Sequence, residues 1–150
     1  MTIIEFFVSG LPIAQGSKRA FVVKGRAVMT ENAKNLKPWR NDVACAAMEA
    51  VRGECEWRTD APMWLTVRFT FPRPASHRRK DGTLKPSAPM HKTTAPDCDK
   101  LARSIGDALT GIAYDDDRQI IDLAVSKGWA MAGDVRETPG ALVRVEMVAP

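Results

Sequence analysis

The chain is short of the residues on which secreted, zinc-stapled and cofactor-loaded proteins depend. Its three cysteines, Cys45, Cys55 and Cys98, are odd in number and match no zinc spacing. That argues against a disulfide framework or a zinc module and points to a reduced, cytoplasmic setting. Long apolar runs are missing, so no segment is expected to span a bilayer. The opening MTIIEFFVSG carries Glu5 and no basic leader, unlike a signal peptide. Glycines stand singly at Gln15-Gly16 and Lys24-Gly25 and build no phosphate loop. Ser17 and Ser76 lack the setting of a hydrolase nucleophile. Nothing calls for an organic cofactor.

What the chain has is charge, unevenly placed. The net charge is +4, with seven Lys/Arg against one acid from Lys18 to Arg40, and nine against three acids from Arg68 to Arg103. His77 and His91 fall in the second basic segment and are expected to lie exposed near phosphate. Yet residues 96–119, PDCDKLARSIGDALTGIAYDDDRQ, hold six aspartates. Two basic segments and one compact acidic cluster suggest a polyanion held around a cation site.

With 150 residues the chain fits one domain, 1–150. Ile4, Phe6 and Val8 alternate as in a strand, and residues 21–29 suggest a hairpin turning at Lys24-Gly25. Trp39, Val43, Ala46, Ala47, Ala50 and Val51 follow helical spacing up to Gly53, with Thr30 a possible N-cap for the segment leading in and Pro38 pointing to a regular helix that starts near Lys37. Met63, Leu65, Val67, Phe69 and Phe71 form the clearest strand. Residues 75–95 lack any apolar period and are expected to be a basic, flexible loop. A second helix follows over Asp97–Leu109, with Leu101, Ile105, Ala108 and Leu109 as its stripe and Gly111 beyond its end. Residues 120–125, 128–131 and 141–148 are strand material. The order predicts an α+β fold, with two main helices packed on one mixed or antiparallel sheet. Trp39 and Trp64 are expected in the core, whereas Tyr114 and Trp129 are candidates for touching DNA.

Asp97 and Asp99 would diverge on a regular helix, but share a side at an extended junction, where Asp99 could also serve as N-cap. Asp117 follows the reversal at Gly111 and could return beside them. Converging carboxylates repel unless a cation lies between them, and such hard oxygen donors suit Mg²⁺ or Mn²⁺. Arg103 is one turn after Asp99, placed to reach the same phosphate. Together these are the parts of a metal-dependent phosphodiesterase site. The same spacings also fit helix capping and a polar turn, or a structural cation-binding module.

The stretch PDCDKLARSIGDALTGIAYDDDRQIIDLAVSKGW resembles the signature of the RusA family of Holliday junction resolvases, many of them phage-borne: a DxD, a DALT helix end, then DDxQI. Looser matches extend upstream through Gly10-Leu11-Pro12, Trp39-Arg40 and Phe71-Pro72-Arg73-Pro74. The resemblance implies a RusA-like domain in which Asp97, Asp99 and Asp117 are catalytic and bind Mg²⁺ or Mn²⁺, with Asp116 in the less critical first place of the pair. Arg103 stands where the family has an essential lysine, and Lys100 where it has asparagine. Arginine keeps the charge and can grip phosphate with two donors, but does not readily release a proton.

The resemblance further implies a homodimer that resolves four-way DNA junctions by paired nicks during recombination and repair, in the cytoplasm of a bacterial host or phage-infected cell. Water would attack the phosphorus in line, leaving 5′-phosphate and 3′-hydroxyl ends. Arg103 and Lys100 would stabilise the scissile phosphate, while Lys18, Arg19, Arg73, Arg78, Arg79 and Lys80 would hold the junction arms. The alternative is a catalytically weakened protein that binds branched DNA without cutting it.

Overall fold

A computed structural model describes residues 2–16, 18–31, 34–132 and 137–149, without the side chains at 18–21 and 27–31. Ten elements follow in order. They are β1 (Thr2–Ser9), β2 (Lys18–Val23), β3 (Arg26–Glu31), α1 (Leu36–Arg52), β4 (Met63–Phe71), a 3₁₀ turn (Ala75–His77), α2 (Cys98–Leu109), a second 3₁₀ turn (Asp117–Gln119), β5 (Ile120–Trp129) and β6 (Gly140–Met147). The fold is α+β: a single domain with both helices packed on one mixed sheet.

The main sheet has strand order β1-β6-β4-β5. β6 runs antiparallel to both β1 and β4, and β5 runs parallel to β4. Two parallel neighbours cannot be joined by a tight turn, so the chain must cross over between them. Residues 72–119 make that crossover and α2 is its helical part, which sets the first turn of α2 and the entry to β5 against the same strands. β2 and β3 form a separate hairpin turning at Lys24 (φ 50) and Gly25 (φ 76), where the sequence suggested.

Alternation decides the faces. Met63, Leu65, Val67, Phe69 and Phe71 of β4 are buried with Val143 and Val145 of β6 and Ile4 and Val8 of β1. On the helix side they meet Trp39, Val43 and Ala47 of α1, and Leu101, Ile105 and Leu109 of α2. The opposite face is polar and carries Glu5, Arg144 and Glu146, linked by ion pairs of 3.6 Å and 2.6 Å. Gly140 begins β6 at φ +156, and a Cβ there would stand 2.1 Å from the Val8 carbonyl oxygen. Only glycine lets the two backbones come this close.

Several local expectations shift. α1 begins at Leu36 with Asn35 as N-cap in a left-handed conformation (φ 68), not through Thr30. Residues 120–129 form one strand, because Ser126, Lys127 and Gly128 pair with Arg68, Phe69 and Thr70. Trp39 is buried as expected, but Trp64 is partly exposed on the polar face. Tyr114 is wholly buried and Trp129 nearly so; neither offers a ring to DNA, because both pack into the core. Residues 75–95 carry their own hydrogen bonds, including Arg79 N–H to the Thr83 carbonyl (2.8 Å) and Lys85 N–H to the His77 carbonyl (2.9 Å). Among the described residues, no helix is long and apolar enough to cross a membrane.

Candidate functional site

The two halves of the acidic stretch are held by different devices. The first half opens α2. Asp97 is the N-cap, with extended backbone (φ −74, ψ 145) and no side-chain capping bond. Asp99 lies in the first helical turn, not at the cap. Its position suits the helix dipole, which favours negative charge at this end. The Asp97 carboxylate, exposed, lies 3.6 Å from the half-buried Lys100 ammonium. A surface pair of this kind contributes well under about 1 kcal/mol, so it does not tie Asp97 down.

The second half is braced through Gln119. The Asp116 N–H donates to Gln119 Oε1 (2.8 Å), and Gln119 Nε2 donates to the carbonyls of Thr59 (2.7 Å) and Ala61 (2.8 Å). Asp116 Oδ1 in turn accepts from the Arg118 N–H at 3.0 Å, completing a capping box around the 3₁₀ turn. Asp116 is thus occupied in holding the turn. Asp117 follows it, exposed and with no hydrogen-bond partner for its carboxylate among the described residues. The Asp115 N–H bonds the Thr59 carbonyl at 3.0 Å, a further tether to the segment that leads into β4.

Asp99 and Asp117 line one cavity of 340 Å³, together with Arg103, Ala102 and Gly106 of α2 and Leu65, Ile120 and Leu123 of the sheet. Asp97 does not line it, and among the described residues no three Asp, Glu, His or Cys side chains gather closely enough to share one metal ion. The donors nevertheless fit a hard divalent cation: two uncommitted carboxylates face one space, with a third at the adjoining helix cap. Below them Tyr114 donates to the Gly106 carbonyl at 2.9 Å. Burial, and then the charges of Asp117 and Asp107, push its hydroxyl far above the usual tyrosine range. Tyr114 is therefore a neutral pillar and not an acid or base near neutral pH.

A second face of α2 carries Lys100, Arg103 and Asp107, and here the sequence reading missed a partner. Gln15 is nearly buried; its N–H bonds the Lys100 carbonyl at 3.0 Å and its side-chain amide donates to Asp107. Gly16 (φ +141) then passes so close that a Cβ would meet Arg103 Nη1 at 3.0 Å. The chain at 15–16 is thus a wall for the Arg103 guanidinium. The spacing of three and then four residues along α2 was the available signal, but nothing local to Gln15 announced its partner.

The proposed arm-holding residues divide. Lys18 and Arg19 lie in β2, with side chains outside the described ones. Arg79 and Lys80 are exposed. Arg78 donates to the Gly82 carbonyl at 2.9 Å. Arg73 has structural work: it donates to the Pro89 carbonyl at 2.8 Å and lies 5.7 Å from the Trp129 ring centroid. His77 packs edge-on against the same ring, half-buried instead of free, while His91 is exposed as expected.

Comparison with known proteins gives the family. The chain is 33% identical over 127 residues to "Uncharacterized protein YqaN" of Bacillus subtilis (strain 168), covering 85% of this chain and 88% of that one. The family model described as Endodeoxyribonuclease RusA matches residues 10–146, a span that includes the wall at 15–16, both acidic groups, β4, β5 and all but the last residue of β6, while β1 lies before it. The chain belongs to the RusA endodeoxyribonuclease family.

Proposed function

We propose that this protein is a Mg²⁺- or Mn²⁺-dependent endonuclease that cuts four-way DNA junctions, acting as a homodimer so that two sites can nick two symmetry-related strands. The observation that carries the reading is the single cavity in which Asp99, Asp117 and Arg103 meet, within a chain of this family. Asp99 and Asp117, joined by Asp97, would hold the cation; Asp116 has the lesser part because its carboxylate already caps the 3₁₀ turn. Bound there, a divalent cation lowers the pKa of water and neutralises charge developing on the scissile phosphate.

The chain's own residues do the rest. Arg103 offers a fork of donors, backed by Gly16, to the phosphate oxygens. Lys100, one turn earlier and paired with Asp97, would add charge to the same approach. Leu65, Ile120 and Leu123 give the cavity an apolar wall. Arg78, Arg79 and Lys80 present positive charge for DNA arms, with Lys18 and Arg19 candidates from the hairpin. Arg73 serves mainly to hold the loop that displays them.

The test is a labelled four-way junction beside a linear duplex of the same sequence, with Mg²⁺, Mn²⁺ or Ca²⁺, and products mapped on all strands. Paired nicks confined to the junction and dependent on Mg²⁺ or Mn²⁺ are expected. A second reading, a branched-DNA binder that does not cut, is favoured by Arg103 and Lys100 standing where the family has lysine and asparagine. Tight junction binding with intact strands in every metal would establish it instead.

A further inference from the structure

The strap that delivers the chain to Asp97 is held in an unusual way. Lys127 of β5 donates from Nζ to the carbonyls of Thr94 (2.8 Å) and Pro96 (2.7 Å). Lys92 donates from Nζ to the carbonyl between them, Ala95 (2.7 Å), and to Thr94 Oγ1 (3.0 Å). Three successive carbonyls, the last immediately before Asp97, therefore each receive an ammonium proton. Lys92 is only 8% exposed, with its ammonium 4.7 Å from the Phe71 ring centroid and 4.6 Å from that of Trp129.

Two ammonium groups converging on one strap, with no carboxylate in a salt bridge to either among the described residues, is a costly arrangement. Burial and the neighbouring Lys127 charge both pull the proton affinity of Lys92 down. Packing alone would be served better by leucine or methionine. What two cations add is direction. Carbonyl dipoles turned toward the lysines fix the peptide planes of residues 94–96, and so the angle at which Asp97 leaves the strap and α2 begins. Lys127 also belongs to the strand that starts directly after the Asp117–Gln119 turn. One paired strand thus bears Asp117 at its entrance and grips the approach to Asp97 from further along.

We infer that Lys127, assisted by Lys92, is a positioning residue that clamps the Thr94–Pro96 carbonyls and so sets Asp97 and Asp99 relative to Asp117 for a divalent cation. The inference deepens the proposed metal-dependent reading and rests on it. It does not require that either lysine touch DNA.

Two measurements on the full chain test it, neither needing nuclease activity. Amide hydrogen exchange without metal reads the clamp: in Lys127→Met the Leu101 amide, which donates to the Asp97 carbonyl at 3.0 Å, should exchange about tenfold faster or more, with the β4 and β6 amides unchanged. Calorimetric titration with Mn²⁺ reads the positioning: Lys127→Met should bind about 10–100-fold more weakly, as for other residues that orient metal ligands. Lys127→Arg, whose fork can still reach two carbonyls, should stay within about threefold of the unsubstituted protein in both.

Should Lys127→Met fail to fold, Lys127→Gln keeps one donor and should fall between the two. Unchanged exchange at Leu101 overturns the clamp. Faster exchange with unaltered Mn²⁺ affinity overturns the positioning claim. An unsubstituted protein that binds no Mn²⁺ removes the metal reading and the positioning claim with it, while the metal-free exchange still reports on the clamp.

Discussion

Replacing Gln119 by alanine should separate the acidic turn from the sheet. The side chain makes three hydrogen bonds of 2.7–2.8 Å, one accepted from Asp116 N–H and two donated to the Thr59 and Ala61 carbonyls. Each such bond has a net worth of about 0.5–1.5 kcal/mol, and the site is part-buried, so water can reach some of the orphaned groups and soften the loss. The expected cost is therefore about 2–4 kcal/mol, taking the bonds together and not as independent terms. For a chain of this size each kcal/mol lowers the thermal midpoint by roughly 2–4 °C, which gives a fall of about 5–15 °C. Urea unfolding followed by circular dichroism measures the loss directly. Junction nicking assayed well below the midpoint should fall as well, since Asp117 adjoins the released turn. A loss under about 1 kcal/mol with full nicking would refute the view that Gln119 anchors the site.

Gly140→Ala tests the fold: its Cβ would meet the Val8 carbonyl oxygen at 2.1 Å and Phe7 Cζ at 2.7 Å, so a loss above about 4 kcal/mol, or no folded protein, is expected on expression and melting. Gly16→Ala tests the wall behind Arg103, where positive φ (+141) and a 3.0 Å approach to Nη1 should cost about 1–3 kcal/mol and lower the nicking rate more than junction affinity. For Lys92 the pKa is depressed, chiefly by burial and then by Lys127, so between its folded value and the ordinary lysine value the unfolded chain binds more protons. Stability should therefore rise with pH across that window relative to Lys92→Met, as paired urea titrations would reveal.

Much of this molecule was readable from local pattern, and the exceptions share a cause. The β4 alternation, the α2 stripe and the turn at Lys24-Gly25 are set by neighbours in sequence, and the structure has them in place. Residues 120–125 and 128–131 read as separate strand material, but pairing of Ser126, Lys127 and Gly128 with Arg68, Phe69 and Thr70 carries one strand through to Trp129. Trp129 looked available to DNA because its cover, Lys92, Arg73 and His77, comes from the long loop. The acids of residues 97–117 were visible as a cluster, whereas Gln15, Gln119 and Lys127, which bond the chain around them, reach across long stretches of sequence. The helix starts one residue after Asp97, so Asp99 enters the first turn instead of capping it, and this sends it into the Asp117 cavity.

The central claim, that Asp99 and Asp117 form one cation-dependent cutting site, is tested most directly by single-turnover cleavage of a four-way junction by the unsubstituted protein, Asp99→Asn and Asp117→Asn. Junction affinity is measured in parallel in Ca²⁺. The account predicts Mg²⁺- or Mn²⁺-dependent nicks from the unsubstituted protein, and a fall of about a hundredfold or more in rate for either variant with affinity little changed. Cleavage by both variants at the unsubstituted rate would contradict it.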